Sequence, residues 1–114
     1  MKLAVIGSRG IVVAELEKYI PQNAEEIVSG GARGVDTCAA EYARSHGKRL
    51  TEFLPDYARF GRGAPYKRNE EIVKYADEIL AFWDGKSKGT EYVIGYAKSQ
   101  NKRVTVINMP LPKR

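Results

Sequence analysis

Residues 26–36 read Glu26-Ile27-Val28-Ser29-Gly30-Gly31-Ala32-Arg33-Gly34-Val35-Asp36. An apolar run over Glu26–Ser29 has the length of a short strand. It stops at three glycines within five residues. From Val35 to Ser45 apolar side chains recur at Val35, Cys38, Ala39, Tyr42 and Ala43, the spacing of one helix face, and Gly47 follows as a stop signal. A strand that runs through a glycine-loosened turn into a helix is the repeating unit of an α/β domain.

The same unit extends in both directions. Toward the amino end, Leu3–Ile6 is an unbroken apolar run and predicts a strand buried on both faces. Ile11–Ile20 carries Val12, Val13, Leu16, Tyr19 and Ile20 at helical spacing and predicts a helix ended by Pro21. Toward the carboxyl end, Leu50–Leu54 predicts a strand closed by Pro55. Asp56–Pro65 reads as a loop, with Gly61 and Gly63. Tyr66–Ala76 predicts a helix with Asn69, Ile72, Val73 and Ala76 on one face. Glu78–Trp83 predicts a strand, Thr90–Gln100 a helix with Thr90, Val93, Ile94 and Ala97 inward, and Arg103–Asn108 a last strand. Five strands with helical segments in the four gaps predict a Rossmann-like three-layer α/β sandwich around a five-stranded parallel sheet. Right-handed crossovers favour the order 3-2-1-4-5. Ligands bind where such an order reverses, beyond the carboxyl ends of the strands. One domain over residues 1–109 is expected, with 110–114 as a tail.

The bulk properties bound the chemistry. The 114 residues suffice for one domain with its own core. A single cysteine, Cys38, excludes an intrachain disulfide, and no paired Cys/His spacing points to a metal. No apolar run approaches the roughly 20 residues of a membrane span, and the first ten residues read as a strand rather than a signal peptide. A reducing, cytoplasmic setting is expected. The formal charge of +5 admits anionic partners without selecting among them.

Position says more than total. Four loops, 7–10, 29–36, 57–69 and 84–91, leave the carboxyl ends of the first four strands. They hold eight of the 19 Lys/Arg but three of the 14 Asp/Glu. In the first, Gly7 and Gly10 permit a tight turn, Ser8 is either a phosphate donor or a helix cap, and Arg9 can pair bidentately with phosphate. In the second, Gly30, Gly31, Ala32, Arg33 and Gly34 have the composition of a phosphate cradle at a helix start. The dinucleotide fingerprint and the P-loop spacing are both absent. Asp36 there suits the helix dipole on its own account. The third loop interleaves Tyr57, Phe60 and Tyr66 with Arg59, Arg62, Lys67 and Arg68, residue types that stack bases and clamp phosphates. Of these, Arg68 and Asn69 are the candidates. The fourth offers Asp84, Gly85, Ser87, Gly89 and Thr90 at another helix start, for a phosphate, for a ribose, or simply for a cap. Cys38 and Trp83 read as core and His46 as a solvated helix end. No nucleophile triad follows from them.

These residues resemble a known superfamily. Ser29–Asp36 with Ala39 and Ala40 behind it, preceded by Gly7-Ser8-Arg9, is similar to the signature of the DprA and Lonely Guy (SLOG) superfamily. Asp56-Tyr57, Gly61, Ala64, Arg68-Asn69, Ala76-Asp77 and Gly89-Thr90 resemble its small YspA-like branch. The resemblance spans almost the whole chain. It implies a domain that binds a nucleotide or nucleotide derivative, as sensor or processing domain, with no cofactor required. It also implies association into a homo-oligomer. Lonely Guy members are phosphoribohydrolases that work through an Arg and a Glu. Arg68 matches the first, while Val93 stands where the Glu is expected. An N-glycosidic hydrolase or deoxyribosyltransferase acting on a nucleotide would then draw its carboxylate from Glu91 or Asp84. DprA members bind single-stranded DNA, so nucleic-acid binding stands as a third reading.

Overall fold

The computed structural model describes residues 1–31 and 34–109; Ala32, Arg33 and the expected tail 110–114 lie outside the described residues. The chain forms β1 (Lys2–Gly7), β2 (Glu26–Ser29), α1 (Val35–Ser45), β3 (Arg49–Glu52), α2 (Tyr57–Phe60), α3 (Ala64–Tyr75), β4 (Glu78–Trp83), α4 (Lys88–Ser99) and β5 (Arg103–Asn108). All four strand pairings are parallel, in the order β3-β2-β1-β4-β5. The sequence of β1, four consecutive buried residues, fits a central strand covered on both sides. β5, at one edge, shows the exposed–covered alternation of a half-buried strand.

Period-two alternation divides the core. Leu3, Val5, Ile27, Leu80 and Phe82 pack on one face with Val35, Ala39 and Ala43 of α1. Ala4, Ile6, Val28, Ile79 and Ala81 pack on the other with Ile72 and Val73 of α3 and Val93, Ile94 and Ala97 of α4. Gly7 ends β1 where nothing larger fits. A Cβ there would stand 2.4 Å from Val35 Cγ2 and 2.9 Å from the Phe82 carbonyl oxygen. That close approach seats the start of α1 against the end of β1.

Ile11–Ile20 is not an α-helix. It is an irregular segment of turns with one 3-10 turn at Leu16–Lys18. Ile11, Val13, Leu16 and Ile20 are buried in the first core, whereas Val12 is 74% exposed. The apolar spacing reports burial of this strap against the sheet. Three β-branched residues in a row, Ile11-Val12-Val13, disfavour helix at its start. Ser8 consequently caps no helix. Residues 56–65 are more ordered than a loop. The Asp56 side chain accepts a hydrogen bond from the Arg59 backbone N–H at 3.1 Å and caps the short α2. The third strand is shorter than expected, and α4 starts two residues earlier, behind Ser87. Trp83 is only partly covered, and its indole N–H donates to the Ser87 carbonyl at 3.0 Å. Among the described residues no helix is long and apolar enough to cross a membrane.

Candidate functional site

The parallel sheet sends the loops after β1, β2 and β4 to one edge, and the order reverses between β1 and β4. A cleft of about 450 Å³ opens at that reversal. Gly7, Arg9 and Gly10 line it from the first loop, and Gly30 and Asp36 from the second. Arg68 and Asn69 line it from the first half of α3, and Asp84, Ser87, Gly89 and Thr90 from the fourth loop. Ile6, Pro65, Ile72 and Val93 complete its walls.

Backbone contacts hold these loops in register. Gly34, the residue before α1, has φ of 75°, and a Cβ on it would lie 2.7 Å from the Arg9 carbonyl oxygen and 2.8 Å from that of Ile11. The first and second loops therefore touch backbone to backbone. Ser8 is buried. Its N–H donates to the Phe82 carbonyl at 3.0 Å, its hydroxyl accepts from the Asp84 N–H at 3.3 Å, and it pairs with the Thr90 hydroxyl at 3.3 Å. It joins the first loop to the fourth and to the start of α4. Ser87 caps α4, its hydroxyl accepting from the Thr90 N–H at 3.4 Å.

Arg68 is half-buried and bridges two elements. Its Nη1 donates to the Gly30 carbonyl at 2.7 Å and its Nε to Asn69 Oδ1 at 2.8 Å. Burial lowers its pKa, Asp36 and Tyr57 oppose the shift, and the nearby Arg9 adds repulsion. It remains charged at neutral pH. On the far side of the same peptide, the Gly31 N–H donates to the buried Ser29 hydroxyl at 3.2 Å. The Gly30–Gly31 peptide is thus held at both its carbonyl and its N–H.

Asp84 Oδ1 accepts from the backbone N–H groups of Ser87 at 2.7 Å and Lys86 at 2.8 Å. Those two bonds, Ser87 first, and the Ser8 hydroxyl hold its carboxyl below the usual range. Asp84 is an ionised carboxylate with one oxygen committed to the turn. Two eleven- and twelve-residue helices, α1 and α4, begin at this cleft and add the positive ends of their dipoles.

Most of the residues expected from the sequence line this cleft, but five of the described ones, Ser8, Gly31, Gly34, Gly85 and Glu91, do not, and Ser8 is buried where it ties the loops together. Gly31 is exposed and faces Leu54 and Glu52 rather than the cleft. Gly85 is exposed at the outer turn of the fourth loop. Glu91 lines a separate depression with Tyr66, Lys88, Tyr92, Gly95 and Tyr96. Gly34 shapes the site from behind, and Ala32 and Arg33 lie outside the described residues. Sequence reasoning missed Gly10, Pro65 and the apolar wall. Ile72 and Val93 carried a signal as inward helix residues, but not that their helices end at an open edge.

Residues 3–60 match the family model described as YAcAr: YspA, cpYpsA-related SLOG family. No curated protein matches the chain.

Proposed function

The chain belongs to the YspA, cpYpsA-related SLOG family, and from that premise we propose that its cleft binds a phosphate-bearing nucleotide or nucleotide derivative, as a sensor or processing domain. One observation carries the reading: Arg9, Arg68 and the starts of α1 and α4 converge on one cleft at the reversal of strand order. Guanidinium groups and helix starts are the groups that favour phosphate oxygens. Asp84 and Asp36 on the same walls suit ribose hydroxyls, which donate to carboxylates. A volume of about 450 Å³ lies within the range of small-molecule sites.

Thermal-shift titration with a panel of nucleoside phosphates and ADP-ribose tests it. A ligand at about 100 times its Kd adds about 2.7 kcal/mol of stability. Arg9→Ala, at an exposed side chain, is expected to abolish that gain while leaving the unliganded melting temperature unchanged. A panel in which no nucleotide raises the melting temperature, or an Arg9→Ala variant that binds as well as the parent, overturns the reading.

A processing role would fall to Asp84 rather than Glu91, because Asp84 shares the cleft with Arg68 and Glu91 does not. An ionised carboxylate suits stabilisation of the positive charge that develops as an N-glycosidic bond breaks. Base release from nucleoside monophosphates, lost in Asp84→Asn and kept in Glu91→Gln, is the expected pattern for that role. Binding without release leaves the sensor role.

A further inference from the structure

The cleft presents groups for a phosphate and a ribose, but among the described residues that line it none is aromatic. A nucleotide held there needs a surface for its base, and one adjoins the Gly30 wall. The chain leaving β3 runs beside the second loop, where the Phe53 N–H donates to the Ser29 carbonyl at 2.9 Å. The next residue, Leu54, lies against Gly31, its Cδ2 2.7 Å from where a Cβ on that glycine would stand. Gly31 follows directly on Gly30, which lines the cleft. Tyr57 comes three residues later, at the start of α2, and α2 packs on α3, the helix that carries Arg68. The Tyr57 phenol is close enough to the Arg68 guanidinium to act on its charge.

Leu54 is 69% and Tyr57 58% exposed, two of the five large apolar or aromatic side chains left open to solvent among the described residues. Single exposed apolar side chains are ordinary. Two of them flanking one wall of a cleft supply the apolar surface that its lining lacks. The segment between them is held in place: Pro55 has a fixed φ, and the Asp56 side chain caps α2 through the Arg59 N–H at 3.1 Å. Charge sets the direction of a ligand. Glu52 Oε2 lies 3.5 Å from the same Cβ position at Gly31, and a carboxylate there repels phosphate. Arg9, Arg68 and the starts of α1 and α4 attract it inside the cleft. The phosphate end therefore points into the cleft and the base end toward Leu54 and Tyr57.

We propose that Leu54 and Tyr57 form the base-binding shelf of the cleft, a specificity element that takes the face of a nucleobase whose ribose and phosphate lie among Arg9, Arg68 and the two aspartates. This rests on the nucleotide reading of the cleft. The shelf offers a ring face and methyl groups, and so separates a ligand that carries a base from one that does not.

Isothermal titration calorimetry with AMP and with ribose 5-phosphate tests it. The parent is expected to bind AMP about 5- to 150-fold more tightly, the range for one base stacked on an aromatic side chain. Leu54→Ser combined with Tyr57→Ala should bring AMP to the affinity of ribose 5-phosphate and leave ribose 5-phosphate unchanged. Tyr57→Phe keeps the ring and should bind AMP as the parent does. Tyr66→Ala, at an exposed tyrosine that lines the separate depression, should change neither. All three side chains are exposed, and an unchanged melting temperature reports the fold of each variant. AMP no tighter than ribose 5-phosphate, AMP affinity unchanged in the double variant, equal loss of both ligands in it, or a Tyr57→Phe variant as weak as the double variant overturns the shelf and leaves phosphate binding by the cleft standing. Failure of both ligands to bind the parent removes the shelf together with the nucleotide reading.

Discussion

Gly34 is where the geometry of the cleft depends on one hydrogen atom. Its backbone lies at φ 75° and ψ −120°, and carbonyl oxygens of Arg9 and Ile11 stand where a side chain would begin. Backbone cannot yield as a flexible side chain does. Gly34→Ala therefore combines a disfavoured conformation with a clash, and a loss of about 2–4 kcal/mol is expected in urea denaturation. A loss below about 0.5 kcal/mol would show that the two loops do not meet as described. The glycine cluster at 30, 31 and 34 was legible as a turn at a helix start. Its division of labour was not, because sequence does not say which way each peptide faces. Gly30 lines the cleft, Gly34 lets the loops touch, and Gly31 faces Leu54. Arg68 was legible as a phosphate candidate from its company of cations, whereas its bond to the Gly30 carbonyl crosses 38 residues and leaves no local trace.

At the scale of elements, the strands and the three long helices could be read because each keeps one period throughout. α1, β2, β4 and β5 fall on the residues that their patterns mark. The strap over 11–20 could not, since its apolar residues fit a helix face while the segment is irregular apart from one 3-10 turn. Helix and strap make opposite demands at adjacent positions. Val12 is 74% exposed and Val13 is 6% exposed. Val12→Ser is expected to leave stability within about 0.5 kcal/mol of the parent. Val13→Ala removes two buried carbon atoms and is expected to cost about 1–2 kcal/mol. Thermal denaturation of the two variants decides the matter, and equal losses would return the segment to a helix. The strap also matters to the site. It starts at Ile11, whose carbonyl abuts Gly34 and whose N–H donates to the Ser8 carbonyl at 3.1 Å, so it fixes the first loop from below.

Across the whole molecule, carboxylates tie the sheet at both ends, which links stability to pH. Glu26 is buried in β2 at the amino end. The Tyr75 hydroxyl from α3 and the Thr51 hydroxyl from β3, at 2.9 Å, donate to it, and Arg49 lies 4.0 Å away. The Tyr75 bond is the largest influence and outweighs burial, so the carboxyl of Glu26 is held below its ordinary range. Asp77 accepts from the Lys2 backbone N–H at 2.8 Å and is lowered chiefly for that reason, as Asp84 is by its turn at the cleft end. A group with a lower pKa folded than unfolded stabilises the fold above its unfolded value. That contribution disappears as pH falls through the folded value. Stability in urea is therefore expected to hold from pH 7 down to about pH 5 and to fall below about pH 4, where unfolded carboxyls begin to bind protons. Tyr75→Phe removes the hydroxyl but leaves the ring beside Phe53, at a centroid distance of 5.5 Å. The variant should be less stable at pH 7 and should lose less between pH 7 and pH 3 than the parent, because Glu26 then titrates nearer its unfolded value. If both proteins lose the same amount over that interval, the buried carboxylate owes its ionisation to its other neighbours, and the polar tie between α3, β2 and β3 is not what acid dissolves.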